Sequence, residues 1–73
     1  MKFVPARLEV AAGERIIWTN RDIVPHSVTA PGAGIESGDL AQGKSWTYVA
    51  RKKGEIDYIC RLHPVMRGTL VVK

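Results

Sequence analysis

Apolar and polar residues alternate along this chain in short runs separated by turn residues. No apolar face recurs at helical spacing for three turns without a Gly or Pro, so no helix is predicted. Runs of this length, punctuated at roughly 8–12-residue spacing, predict an all-β sandwich or barrel. Leu8 to Val10 alternates and ends at the Ala12-Gly13 turn. Glu14 to Asn20 reads as a strand, with Ile16, Trp18 and Asn20 on one face and Arg15, Ile17 and Thr19 on the other. His26 to Ala30 is a short strand after Pro25, and Pro31 to Gly34 is a flexible loop. Ser45 to Ala50 places Trp46, Tyr48 and Ala50 on one face; Arg51 to Gly54 turns; Glu55 to Cys60 places Ile56, Tyr58 and Cys60 on one side. Thr69 to Val72 is the final strand. Each strand buries one face, as in two packed sheets.

Length narrows this picture. A chain of 73 residues makes one domain, read here as residues 1–73. A fold of this size buries only about 60% of the surface of its unfolded chain. Small folds usually add disulfides, a metal or a partner subunit. One cysteine excludes an internal disulfide, while two histidines and a thiol leave metal binding open. Hydrophobic residues at 45% and charged residues at 25% are ordinary globular usage and argue against disorder. No apolar run is long enough for a transmembrane helix, and Met1 to Pro5 is too short and polar for a signal peptide. The net charge of +4 and a pI near 9.6 favour partners with acidic docking surfaces. Nucleic acid is not expected: the basic residues are scattered, and the Arg51-Lys52-Lys53 triplet reads as a solvated turn.

The candidate chemistry lies in Cys60-Arg61-Leu62-His63-Pro64-Val65-Met66 together with His26, far away in sequence. A thiolate, two imidazoles and a thioether form the ligand set of a type 1 copper site. Sulfur ligands favour Cu(I), imidazole suits both oxidation states, and a scaffold that holds them between the two preferences lets an electron pass with little rearrangement. Taken singly, each residue has a plainer reading: Cys60 a buried inert thiol, Met66 a core filler, His26 a turn residue. Their joint spacing is what points to copper. Other uses fit less well. Haem attachment needs a second cysteine. Structural zinc takes four Cys or His ligands, and three exist. A Cys60–His63 nucleophile pair lacks an orienting partner, so no enzyme is expected. Met1 reads as an initiator and not a ligand.

The stretches Phe3-x-Pro5, Leu8-x-Val10-x-x-Gly13, Trp18-x-Asn20-x-Asp22, Pro25-His26, Ser37-Gly38-x-Leu40-x-x-Gly43, Gly54 and Tyr58-x-Cys60-x-x-His63-Pro64-x-Met66-x-Gly68 follow one another across most of the chain. In content and order they resemble the cupredoxins, the blue copper proteins of the plastocyanin, pseudoazurin and amicyanin group. The short ligand loop is most similar to that of amicyanins. The resemblance implies a Greek-key β-sandwich with one copper ion bound by His26, Cys60, His63 and Met66. It implies one-electron transfer between redox proteins and a periplasmic or otherwise extracytoplasmic location. A copper-binding or copper-delivery module without redox cycling is the alternative. Arg61 and Arg67 flank the loop and are candidates for steering an acidic partner, with plain solvated charge as the other reading.

Two departures from the family carry expectations. Cupredoxins begin with another strand before the Phe-x-Pro stretch, so the first strand here is expected to be shortened or missing. The chain is then a monomer, or a dimer through the exposed strand edge. Ser27 stands where many members carry Asn after the first histidine, and a hydroxyl offers fewer groups than an amide, so a looser tie between the ligand loops is expected.

Overall fold

The structure, a computed structural model, describes residues 2–73; Met1 lies outside the described residues. Among the described residues seven strands form: β1 (Arg7–Val10), β2 (Arg15–Thr19), β3 (Thr29–Ala30), β4 (Ile35–Glu36), β5 (Ser45–Val49), β6 (Gly54–Cys60) and β7 (His63–Val72). One sheet has the order β1-β7-β6-β3-β4 and the other is the pair β2-β5. β1 runs parallel to β7, and every other pairing is antiparallel. The chain leaves the small sheet after β2, builds β3 and β4 on the large one, and returns to pair β5 with β2. The two packed sheets are those that the alternation predicted, and the Greek key is the one that the resemblance implied.

The faces follow the pattern of side chains. On β2, Ile16 is buried while Arg15, Ile17 and Thr19 are exposed. On β6 and β7, Tyr58, Cys60, Met66, Leu70 and Val72 join Phe3, Val10, Val28, Ile35 and Ala50 in one core. Trp18, Trp46 and Tyr48 pack against it half-buried. Tyr58 is its centre: its ring meets Phe3 edge-on at 4.8 Å and Trp18 edge-on at 5.3 Å. The residue opposite Tyr58 on β7 is Gly68, and the ring lies where a Gly68 side chain would be.

Besides the unread β4, three segments differ from the sequence reading. The expected strand from His26 to Ala30 shrinks to Thr29–Ala30, because side chains take the backbone groups that a ladder would use. The Ser27 N–H donates to Cys60 Sγ and the Val28 N–H to Ser37 Oγ, while His26 keeps only an isolated bridge to Leu40. The final strand starts at His63 instead of Thr69. Pro64 and Gly68 read as loop residues, but Pro is admitted at bulges. The register passes from Ile59↔Arg67 to Cys60↔His63, so β6 advances one residue while β7 moves from 67 to 63, looping out Pro64, Val65 and Met66. Pro31–Ala33 is one turn of 3-10 helix closed by Gly34 at φ 72°, a left-handed conformation that glycine adopts without a Cβ clash.

Gly68 links the fold to the site, since Tyr58 lies two residues before Cys60 on the same face of β6. Gly68→Ala would drive a methyl into the Tyr58 ring and should destabilise the protein by about 1–3 kcal/mol. Gly32→Ala, which meets nothing within 4 Å, should change stability far less. Urea unfolding of the two variants checks this; equal midpoints would show that the Tyr58–Gly68 contact does not constrain the core.

Candidate metal centre

The Cys-x-x-His spacing becomes a hairpin. Cys60 ends β6, His63 begins β7, and the two pair across the intervening Arg61-Leu62 turn. His26 arrives from the segment before β3, held by two backbone hydrogen bonds: its N–H donates to Leu40 O at 3.1 Å, and the Leu40 N–H donates back at 2.6 Å. Cys60 Sγ then lies 3.5 Å from His26 Nδ1 and 3.9 Å from His63 Nδ1. One donor atom from each of His26, Cys60 and His63 falls within 4.8 Å of the others. The two imidazole rings sit 5.2 Å apart, tilted by 54°. Met66 is buried and lines, with His26, Phe3, Trp18 and Leu40, a cavity of about 510 Å3.

Burial differs across the set and separates its roles. Cys60 has no exposed surface and His26 has 5%, while His63 is half-buried. Beside His63 in sequence, Leu62, Pro64 and Val65 are exposed apolar residues, and Pro25 is exposed just before His26.

Burial pushes the Cys60 thiol up, but the Ser27 N–H and hydrogen bonds from His26 and His63 outweigh it, and the pKa falls to about 6. Burial lowers His26, yet its hydrogen bonds to Cys60 and Asp22 leave it above the ordinary 6.5. Without metal the site is therefore arranged to hold a thiolate against an imidazolium. A soft anion beside two nitrogen donors fits a copper ion.

Ser27 ties the loops more fully than its hydroxyl suggested. The Arg61 N–H donates to Ser27 Oγ at 2.8 Å, and Ser27 Oγ and Thr29 Oγ1 share a hydrogen bond of 2.9 Å. Thr29 Oγ1 donates to Glu36 Oε2 at 3.4 Å, and Glu36 Oε1 lies 3.5 Å from the Arg61 guanidinium, closing a ring of contacts. Arg61 also bonds Asp39 at 2.7 Å. Its charge is thus engaged within the chain, clamping the ligand hairpin to the β4 region, and is not free in the way a steering residue would be. Asn20 touches none of the three clustered donors. It shapes the loop before His26: Nδ2 donates to Val24 O at 2.9 Å and Leu40 O at 2.7 Å, and Oδ1 accepts the Asp22 N–H at 2.8 Å. Sequence reasoning missed Asp22, whose carboxylate accepts a 2.8 Å hydrogen bond from His26 Nε2. The i, i+4 spacing of Asp22 and His26 was visible, but only the Asn20-shaped loop makes it meaningful.

Comparison with known proteins agrees with this geometry. The profile of the cupredoxin-like domain matches residues 1–72. Amicyanin-alpha of Methylorubrum extorquens is 33% identical over 78 aligned positions, covering 100% of this chain and 66% of that protein. The chain thus spans just under two thirds of that relative's length. Among solved structures, a substituted amicyanin in its oxidised state superposes with TM-score 0.93 at 30% identity, covering 100% of this chain and 74% of the other. A purple cupredoxin from Nitrosopumilus maritimus superposes with TM-score 0.86 at 28% identity, covering 99% and 82%.

The metal-free site makes a pH prediction. The folded thiol titrates near 6, against 9.0 for the unperturbed group. A depressed value means that the thiolate's contribution to stability is full above the unfolded pKa and is lost as pH falls through about 6. The contribution of His26, whose value is raised, runs the other way: it is present below 6.5 and lost as pH rises through the folded value. Thiolate ultraviolet absorbance of the metal-free protein should show a midpoint near 6, and His26→Ala should raise it. A midpoint at the ordinary cysteine value of about 8.5 would show that the imidazoles do not stabilise the anion.

Proposed function

The chain belongs to the cupredoxin family, and from that premise we propose that it carries single electrons between redox proteins on one type 1 copper ion. His26, Cys60, His63 and Met66 are the proposed ligands. The observation that carries this reading is the convergence of two Nδ1 atoms on a buried thiolate sulfur, brought together from three places in the fold. Copper bound there supplies a Cu(II)/Cu(I) couple. The protein supplies ligand positions that the backbone already fixes, so neither oxidation state has to rebuild the site. Met66 is the thioether ligand in this reading, placed on β7 within the looped-out Pro64–Met66 segment, close enough in sequence to share the hairpin's rigidity.

Electrons enter and leave through His63, the one histidine of the set with substantial exposure. Leu62, Pro64 and Val65 offer partners a dry surface there. Arg67, exposed on β7, adds positive charge nearby and suits a partner with an acidic rim. We read the location as extracytoplasmic, a reading that the amicyanin and plastocyanin relatives support. A delivery module is less well supported, because exchange of copper between proteins calls for exposed ligands, and Cys60 and His26 are closed off. The reading involves no bond-making chemistry and no enzyme.

Adding Cu(II) to the wild-type protein should produce an intense visible thiolate-to-copper band and a reversible reduction. Cys60→Ala should lose the band completely while keeping its far-ultraviolet dichroism, because the strands are patterned elsewhere. A blue Cys60→Ala protein would refute the assignment. Met66→Gln should retain an altered band and lower the midpoint potential, since an amide oxygen is harder than a thioether and favours Cu(II). An unchanged potential on voltammetry would remove Met66 from the ligand set.

A further inference from the structure

His26 is fixed at its backbone by the paired bonds to Leu40, which leaves the rotation of its ring and the choice of protonated nitrogen to be settled. Both are settled on the side away from the metal centre. Nε2 meets Asp22 Oδ2 at 2.8 Å, with the His26 side chain 7% exposed and the Asp22 side chain 50% exposed. Asp22 is itself placed: its N–H is held by Asn20 Oδ1, and the Asn20 amide is anchored to the Val24 and Leu40 carbonyls. Leu40 therefore receives the Asn20 bond and pairs with His26, so one residue registers both ends of the loop.

We infer that Asp22 is a positioning residue for the copper site, orienting His26 and fixing its tautomer so that Nδ1 is directed at Cys60. The inference rests on the reading of His26 as a copper ligand. A half-exposed carboxylate contributes little as an ion pair. Its effect here is directional and electronic. Accepting the Nε2 proton directs Nδ1 at the sulfur, where it donates in the metal-free protein and would offer its lone pair to a copper ion. A carboxylate on the far nitrogen also makes the imidazole a stronger donor. A stronger nitrogen donor favours Cu(II) over Cu(I), so Asp22 lowers the reduction potential. The Asn20–Asp22–His26 relay makes a surface loop part of the site's electronic tuning.

Three variants separate direction from charge. In Asp22→Asn the amide oxygen still accepts from Nε2, so orientation is kept and charge is lost. In Asp22→Ala both are lost, and Asp22→Glu restores the carboxylate. Nitrogen-15 NMR of the metal-free proteins, at a pH high enough for His26 to be neutral, should show the ring protonated at Nε2 in wild type and Asp22→Asn, with a second tautomer appearing in Asp22→Ala. Chelator competition should show Cu(II) affinity about 10–100-fold weaker in Asp22→Ala, with Cu(I) affinity less affected. The midpoint potential should rise in Asp22→Asn and Asp22→Ala and return towards wild type in Asp22→Glu. Unchanged tautomer, affinity and potential in Asp22→Ala would overturn the inference. If wild type takes up no Cu(II), the electron-carrier reading fails instead, and the metal-free NMR alone decides whether Asp22 directs His26.

Discussion

A buried sulfur anion needs donors around it, and the arrangement of this protein follows from supplying them to Cys60. A thiolate with no solvent exposure is costly unless hydrogen bonds and positive charge replace the water it loses. Here the Ser27 N–H and two imidazoles do so, and they come from the segment before β3 and from the first residue of β7. The hairpin turn, the shortened β3 and the looped-out Pro64–Met66 segment are each consequences. The Ser27 N–H serves the sulfur and not a ladder. β7 must step by four residues to bring His63 opposite Cys60.

The rest of the fold keeps these pieces in register. The sheet opposite the site has only two strands among the described residues, β2 and β5, so much of the core rests on aromatic contact. Tyr58 fills the space left by Gly68 and touches Phe3 and Trp18, so the strand that ends in Cys60 is locked two residues before it. On the other side, the Arg61 contacts with Glu36 and Asp39 and the Ser27–Thr29–Glu36 bonds close around the turn. Surface ion pairs alone are weak. Joined to a buried hydroxyl pair and a backbone N–H, they act as one network and limit the motion of the hairpin.

Much of this was legible in the residues. Period-two alternation located β2, β5 and β6 with their correct faces, because those strands bury one side and expose the other. His26, Cys60 and His63 were legible through ligand type and spacing, and the structure brings them together. Met66 is placed in the core, beside the same cavity as His26. The length of β7 was hidden by Pro64 and Gly68, whose local preferences oppose a strand but whose roles at a bulge and under Tyr58 are tertiary. β4 was too short to show a period. The bonds that Ser27 makes were not legible, because a hydroxyl's reach depends on its neighbours, Thr29 and the Arg61 N–H. The partnerships of Asp22 and Arg61 depend on loop paths set by Asn20 and Leu40, which no local pattern encodes.

The central claim is that the chain, and not the metal, sets the ligand positions. The most direct measurement is a pair of crystal structures, metal-free and loaded with Cu(II). The account predicts that the His26, Cys60 and His63 side chains keep their rotamers on loading, that Nδ1 of each ring faces the sulfur in both forms, and that the Cys60–His63 hairpin does not shift register. A metal-free form with either imidazole turned away, or with the hairpin open and closing only on copper, would contradict it.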